Sequence, residues 1–138
     1  MTLPAEPRWV PDLAVRAIHH QQLLEHGGLS GLRDAALLDA AMARPRQRWS
    51  YGELGTIVPL AAAYAEALIR AHPFVDGNKR TGFLVSLVFL GLNGFRFEAS
   101  NQAVVLTIQR LAAGSIPWAE LEAWYQACSH AHTPGPAS

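Results

Sequence analysis

The chain of 138 residues is half apolar, long enough for one compact domain with a core and too short for two ordinary ones. Eleven basic and eleven acidic residues cancel, which removes any long-range positive field that would draw the protein to nucleic acid and any acidic solvating tail. A single cysteine, Cys128, excludes an internal disulfide framework and a multi-thiolate zinc site; a reducing, cytoplasmic setting is the expectation.

Residues 1–10 hold Glu6, Arg8 and two prolines where a secretory signal would have a basic start and an apolar stretch. Pro11 suits the first position of a helix in which Leu13, Ala17, Ile18 and Leu24 recur at helical spacing, until Gly27-Gly28 ends it. After a loop at 29–32, residues 33–42 are rich in helix formers, and Pro45 is expected to stop this short second helix. Residues 44–55 carry Trp49, Tyr51, two glycines and three arginines without clear period and read as an irregular loop or flap. Residues 57–71 have strong helix propensity and end at His72, because the residue before Pro73 is driven out of the helical region.

Gly77 and Asn78 open a fourth helix that is apolar on nearly every side, from Phe83 to Leu92, and is therefore expected to be the central one. Its apolar run, residues 82–92, is about half the roughly 20 residues needed to cross a bilayer, so no membrane role is expected. Asn93-Gly94 terminates it, Ser100 reads as the N-cap of a helix through Leu111, and Ser115 with Pro117 starts a last helix through Cys128. The fold class is all-α: about six helices around a buried central helix, one domain over residues 1–128, and a disordered tail at 129–138. No strand pattern is evident.

One segment concentrates chemistry: a histidine at a helix end, a tight turn, then a helix N-terminus flanked by Lys79 and Arg80. Free N–H groups at Gly77, Asn78 and Lys79 would face an anion at the positive end of the helix dipole. Asp76 beside this cradle suits Mg²⁺, which needs only one or two protein carboxylates when nucleotide phosphates complete its shell. His72 is placed to act as a general base. Base, metal ligand and anion hole are the parts that phosphoryl or nucleotidyl transfer requires. The same residues have a plainer reading, in which Asp-Gly-Asn is an ordinary turn, the basic pair is solvated surface and the histidine only caps a helix.

The string His72-Pro73-Phe74-Val75-Asp76-Gly77-Asn78-Lys79-Arg80-Thr81 resembles the signature of the Fic/Doc family, His-x-Phe-x-(Asp/Glu)-Gly-Asn-(Gly/Lys)-Arg. Similarity to the Doc, or death-on-curing, branch extends through His26-Gly27-Gly28-Leu29-Ser30-Gly31-Leu32-Arg33-Asp34, Leu37-Leu38, Arg44-Pro45 and Asn93-Gly94. AMP-transferring members carry Gly-Asn-Gly-Arg-x-x-Arg. Here Lys79 replaces the second glycine and Phe83 stands where the second arginine would hold phosphates, and both departures favour the Doc branch.

That resemblance implies a kinase that uses ATP or another nucleoside triphosphate with Mg²⁺ and places the γ-phosphate near the histidine. The implied target is a threonine of elongation factor Tu, with arrest of translation, and the implied partner is a small Phd-like antitoxin. It makes His72 the base, Asp76 the Mg²⁺ ligand, Gly77 and Asn78 anion-hole members, and Lys79 and Arg80 phosphate contacts. Arg70 matches an arginine of Doc proteins, although it also fits a solvent-facing helix residue. The Trp49-Tyr51 loop lies where Fic-fold proteins dock the target chain, though these rings could equally close the core. Arg33 and Asp34 read as fixing the loop and starting helix two. No inhibitory (Ser/Thr)-x-x-x-Glu-(Gly/Asn) string is present.

His19 and His20 are adjacent and face different sides of their helix, and neither they nor His26, His130 and His132 have metal-pair spacing. Two rivals to the kinase remain: an AMP transferase on the same scaffold, and a non-catalytic binding module, which an intact His72-Asp76-Asn78 set disfavours.

Overall fold

The computed structural model describes residues 5–132. Its order is α1 (Asp12–His26), α2 (Ala35–Ser50), α3 (Ile57–Ala71), α4 (Asn78–Leu92), β1 (Phe95–Phe97), α5 (Asn101–Ala112), α6 (Trp118–Cys128) and β2 (Ser129–Ala131). The all-α class holds: six helices pack into one bundle, with a two-stranded ribbon at its edge. Among the described residues no helix is long and apolar enough to cross a membrane.

Helix boundaries follow local chemistry. Pro11 precedes α1 and Gly27 follows it. The Asp34 carboxylate accepts the Leu37 N–H at 3.0 Å and so starts α2. The Ser100 hydroxyl does the same for α5, accepting from Ala103 at 3.1 Å.

Pro45 does not stop α2, which runs on to Ser50 with the proline inside it. A proline within a helix costs about 3 kcal/mol, and tertiary packing offsets it. Leu38, Ala41, Met42 and Pro45 are buried along one stripe, and Trp49 extends that stripe by one more turn. The expected irregular flap therefore shrinks to residues 51–56. Trp49 belongs to the last turn of α2, where it meets Trp9 edge to face at 6.0 Å.

The most enclosed helix is α3 rather than α4. Ten of its fifteen residues are buried, including every one from 58 to 65. Its alanines Ala61, Ala62, Ala63 and Ala65 let α2, α4 and α6 approach closely on several sides. In α4, Val88 and Leu92 reach solvent, so apolar composition alone overstated its burial. The two helices are packed against each other: a Cβ at Gly82 of α4 would stand 2.7 Å from Ile69 Cγ1 and 3.3 Å from Leu68 Cβ of α3.

The expectation of a disordered tail from Ser129 fails for its first residues. Ser129, His130 and Ala131 pair antiparallel with Phe97, Arg96 and Phe95. Phe97 then lies among Phe83, Trp124 and Tyr125, with ring centroids 5.1–5.5 Å away. Strands of three residues are too short for alternation to show in the sequence. Residues 133–138 lie outside the described part of the chain.

Gly82→Ala separates propensity from packing. Helix propensity alone favours alanine by about 1 kcal/mol, whereas overpacking a tight core costs about 1–3 kcal/mol. Because Leu68 Cβ is fixed to the α3 backbone and cannot rotate away, chemical denaturation of Gly82→Ala is expected to show a net loss of stability.

Candidate active site

Between α3 and α4 the chain reverses within six residues, and side chains from three other places hold the reversal. His72 ends α3 with φ 53° and ψ 53°. Pro73 was expected to expel His72 from the right-handed region; it does so, into the left-handed one. Among the described residues His72 is the one non-glycine with positive φ, a conformation that costs an L-residue about 1–2 kcal/mol. Its own N–H still bonds Leu68 O at 3.2 Å. Arg33 closes the helix end from outside, donating from Nε to His72 O at 2.7 Å and from Nη2 to Ala71 O at 3.0 Å. A guanidinium at the negative end of α3 satisfies carbonyls that the helix leaves free.

Phe74 is fixed next. The Asn78 side chain accepts the Phe74 N–H and donates to the Phe74 C=O, both at 2.9 Å. Asn78 is 5 % exposed, so its amide locks the turn rather than reaching into the pocket; its contribution to an anion hole comes down to its backbone N–H. On the outer side Val75 N–H bonds Gly31 O at 3.0 Å and Leu32 bridges Phe74, tying the turn to the loop before α2.

Asp76 faces the same loop. Its Oδ2 accepts the Leu29 N–H at 3.1 Å and its Oδ1 the Gly77 N–H at 2.8 Å. Gly28 has no Cβ for good reason, because one would stand 2.8 Å from Asp76 Oδ2. These two backbone donors, Leu29 first and then Gly77, hold the carboxyl below its ordinary pKa, and Arg80 adds a smaller pull in the same direction. Each oxygen accepts one bond and keeps lone-pair capacity for a further partner.

Gly77, at φ 77°, turns the chain into α4, and no side chain caps the helix that follows. The Asn78, Lys79 and Arg80 amides of its first turn are therefore free to meet an anion, whereas the Gly77 N–H, expected to join them, is taken by Asp76 Oδ1. His72, Asp76, Gly77, Asn78, Lys79 and Arg80 line one pocket of about 290 Å³. A second, mostly apolar cleft of about 190 Å³ shares Lys79 and Arg80 with it and continues over Phe83, Val104 and Ile108 toward Gln109.

Arg70 is not brought to this pocket. It lines a separate groove between α2 and α3 with Arg44 and Glu66, and its Nη2 lies 3.6 Å from where a Cβ of Gly114, between α5 and α6, would be. Trp49 is half-buried and packs against the core, and Tyr51 is 79 % exposed on the turn after α2.

The chain matches the description of the Fic/DOC family over residues 9–90. The chain belongs to the Fic/Doc family. It is 34 % identical over 92 residues to a protein of Escherichia phage P1 named Protein kinase doc, covering 67 % of this chain and 73 % of that one. It is 44 % identical over 75 residues to Toxin Doc of Mycolicibacterium smegmatis, covering 53 % of this chain and 57 % of that one. The matched Fic/Doc region thus contains the whole pocket, α1 to α3, and α4 up to its last two residues.

Two residues of this Fic/Doc site escape a motif reading. Arg33 was assigned only to its own loop, yet it caps the helix that bears His72. His19, on α1, is 6 % exposed, bonds Asp76 O through Nε2 at 2.8 Å and stacks on Phe74 at 3.8 Å. The face of α1 that is buried carries Val15, His19 and Gln22, while Leu13 and Leu24, which gave the helix its apolar spacing in the sequence, are exposed, so no apolar period pointed to His19.

The Asp76 carboxyl gives a direct check on this geometry. Since its pKa is depressed in the folded chain, its two hydrogen bonds are complete above the ordinary carboxylate pKa and are lost as pH falls through the lower folded value. An NMR pH titration is expected to show Asp76 ionised below the usual value of about 3.9, with the Leu29 and Gly77 amide shifts following the same curve.

Proposed function

We propose that this protein is a Doc-like toxin that transfers the γ-phosphoryl group of a nucleoside triphosphate to a hydroxyl of a protein. The observation that carries this reading is the single pocket in which the exposed His72 ring, the Asp76 carboxylate and the uncapped N-terminus of α4 meet. Donor phosphates bind the free amides of α4, with Lys79 as a point charge and Arg80 as a planar fork. Asp76 offers one hard, ionised oxygen ligand, and a Mg²⁺ held there with the phosphates would neutralise charge developing on the transferred group.

His72 takes the proton from the target hydroxyl as its oxygen forms the new bond to the γ-phosphorus. The bond from that phosphorus to the bridging oxygen breaks, and the nucleoside diphosphate departs with its electron pair. The left-handed turn at His72 sets the ring at the mouth of the pocket, where a macromolecular hydroxyl can reach it.

Three features support γ-transfer over AMP transfer. Lys79 fills space that a glycine would leave for the α-phosphate, Phe83 supplies no charge where a second arginine would stand, and the apolar cleft beyond Arg80 gives a nucleoside a surface continuous with the phosphate cradle. We further propose elongation factor Tu as the target, with arrest of translation in the cytoplasm, a small Phd-like antitoxin as the neutralising partner, and the exposed Tyr51 turn as a contact for the target chain.

The test incubates the protein and Mg²⁺ with elongation factor Tu and ATP labelled at either the α or the γ phosphate. The expected result is γ-label on the target, falling at least about 100-fold in His72→Ala. Transfer of α-label would contradict the kinase reading. Absence of label from every target tried would point to a module that acts by binding alone.

A further inference from the structure

His19 lies outside the motif that forms the pocket, yet its ring touches three successive parts of it. It stacks on Phe74 with planes 9° apart, donates to Asp76 O, and lies 3.6–3.7 Å from where a Cβ of Gly77 would be. A carbonyl only accepts, so Nε2 carries the proton in this bond. A buried histidine is often no more than a satisfied core residue. The identity of its partner says more.

The Asp76 C=O and the Gly77 N–H belong to one rigid peptide plane. His19 holds the carbonyl end, while the N–H end is the donor that pins Asp76 Oδ1. Rotating that plane would break both bonds together. The other carboxylate oxygen is held independently by Leu29. Asp76 thus owes its direction to α1 through His19 and to the Gly28-Leu29 loop, two elements outside the motif.

We infer that His19 is a positioning residue that orients the Asp76 carboxylate by fixing the 76–77 peptide plane. The orientation follows from the chain's own hydrogen bonds; its consequence for metal binding rests on the reading of Asp76 as a Mg²⁺ ligand.

His19→Phe keeps the stack on Phe74 and removes the donor, and His19→Gln restores a donor. Two readouts on the full chain separate the claims. The first is amide hydrogen exchange at Gly77 and Leu29, without ligand. Both amides are expected to exchange about fivefold faster or more in His19→Phe and to regain protection in His19→Gln, while the α3 core amides stay protected in each. The second is Mg²⁺ alone, titrated and followed at the Asp76 carboxyl carbon, where His19→Phe is expected to weaken binding on the order of 10-fold. Unchanged exchange at Gly77 in a folded His19→Phe chain overturns the inference. If that chain does not fold, His19→Gln decides alone: protected Gly77 and Leu29 amides support the inference, and loss of their protection overturns it. Faster exchange together with no Mg²⁺ response in the wild type would uphold the positioning role and remove the metal role of Asp76.

Discussion

The Asn78 side chain closes back on Phe74, satisfying both the N–H and the C=O of one residue with one amide. Most of the site depends on this closure. It brings the first residue of α4 within reach of the end of α3, so that the two most extensively packed helices of the bundle meet at a reversal of six residues. Both bonds are buried, where an unpaired donor or acceptor costs about 1–3 kcal/mol, so the turn has little freedom to open. The strained backbone at His72 is held in the same way from the other side, by Arg33 on the carbonyls of Ala71 and His72. Strain of this sort persists only where the surroundings over-determine it, and here the loop before α2, α1 and α4 all contribute.

In the proposed reading that rigidity serves electrostatics. The chain has no net charge, so its attraction for an anion must be short-ranged and built from the free amides of α4 with Lys79 and Arg80 beside them. Neither of those side chains is paired with a carboxylate within 4 Å among the described residues, whereas Arg46, Arg96 and Arg110 each have one and Arg48 has two. Asp76 is engaged by the Leu29 and Gly77 backbone donors and forms no ion pair with either cation, which leaves both for the proposed phosphates. A site assembled in advance avoids the ordering cost that a floppy loop would pay on binding.

The sequence made most of this legible where a few adjacent residues decide the outcome. Ser100 and Asp34 act as caps from their own side chains, Pro11 and Gly27 bracket α1, and the residues from His72 to Arg80 are contiguous in both chain and space. It was silent where the deciding partner is far away. Pro45 reads as a stop until Leu38, Met42 and Trp49 show that its face of α2 is buried. The ribbon of Phe95–Phe97 with Ser129–Ala131 joins segments separated by two helices, and neither is long enough to show a period. His19 lacked metal-pair spacing, which is a test for a ligand and not for a residue that holds one. Arg70 was carried to the phosphates by its position two residues before His72, but a helix rotates about 100° per residue, and Arg70 instead lines the α2–α3 groove with its Nη2 beside Gly114.

Central to the proposed function is that the N-terminus of α4 is a ready-made phosphate cradle. The direct measurement is a backbone amide NMR titration of the full chain with Mg²⁺ and a non-hydrolysable ATP analogue. The predicted result is that the Asn78, Lys79 and Arg80 amides and the His72 ring respond first and most strongly, while the Phe74 amide, already bonded to Asn78, barely moves. A response centred elsewhere, such as the groove holding Arg44 and Arg70, or a Phe74 amide that shifts as much as its neighbours, would contradict it.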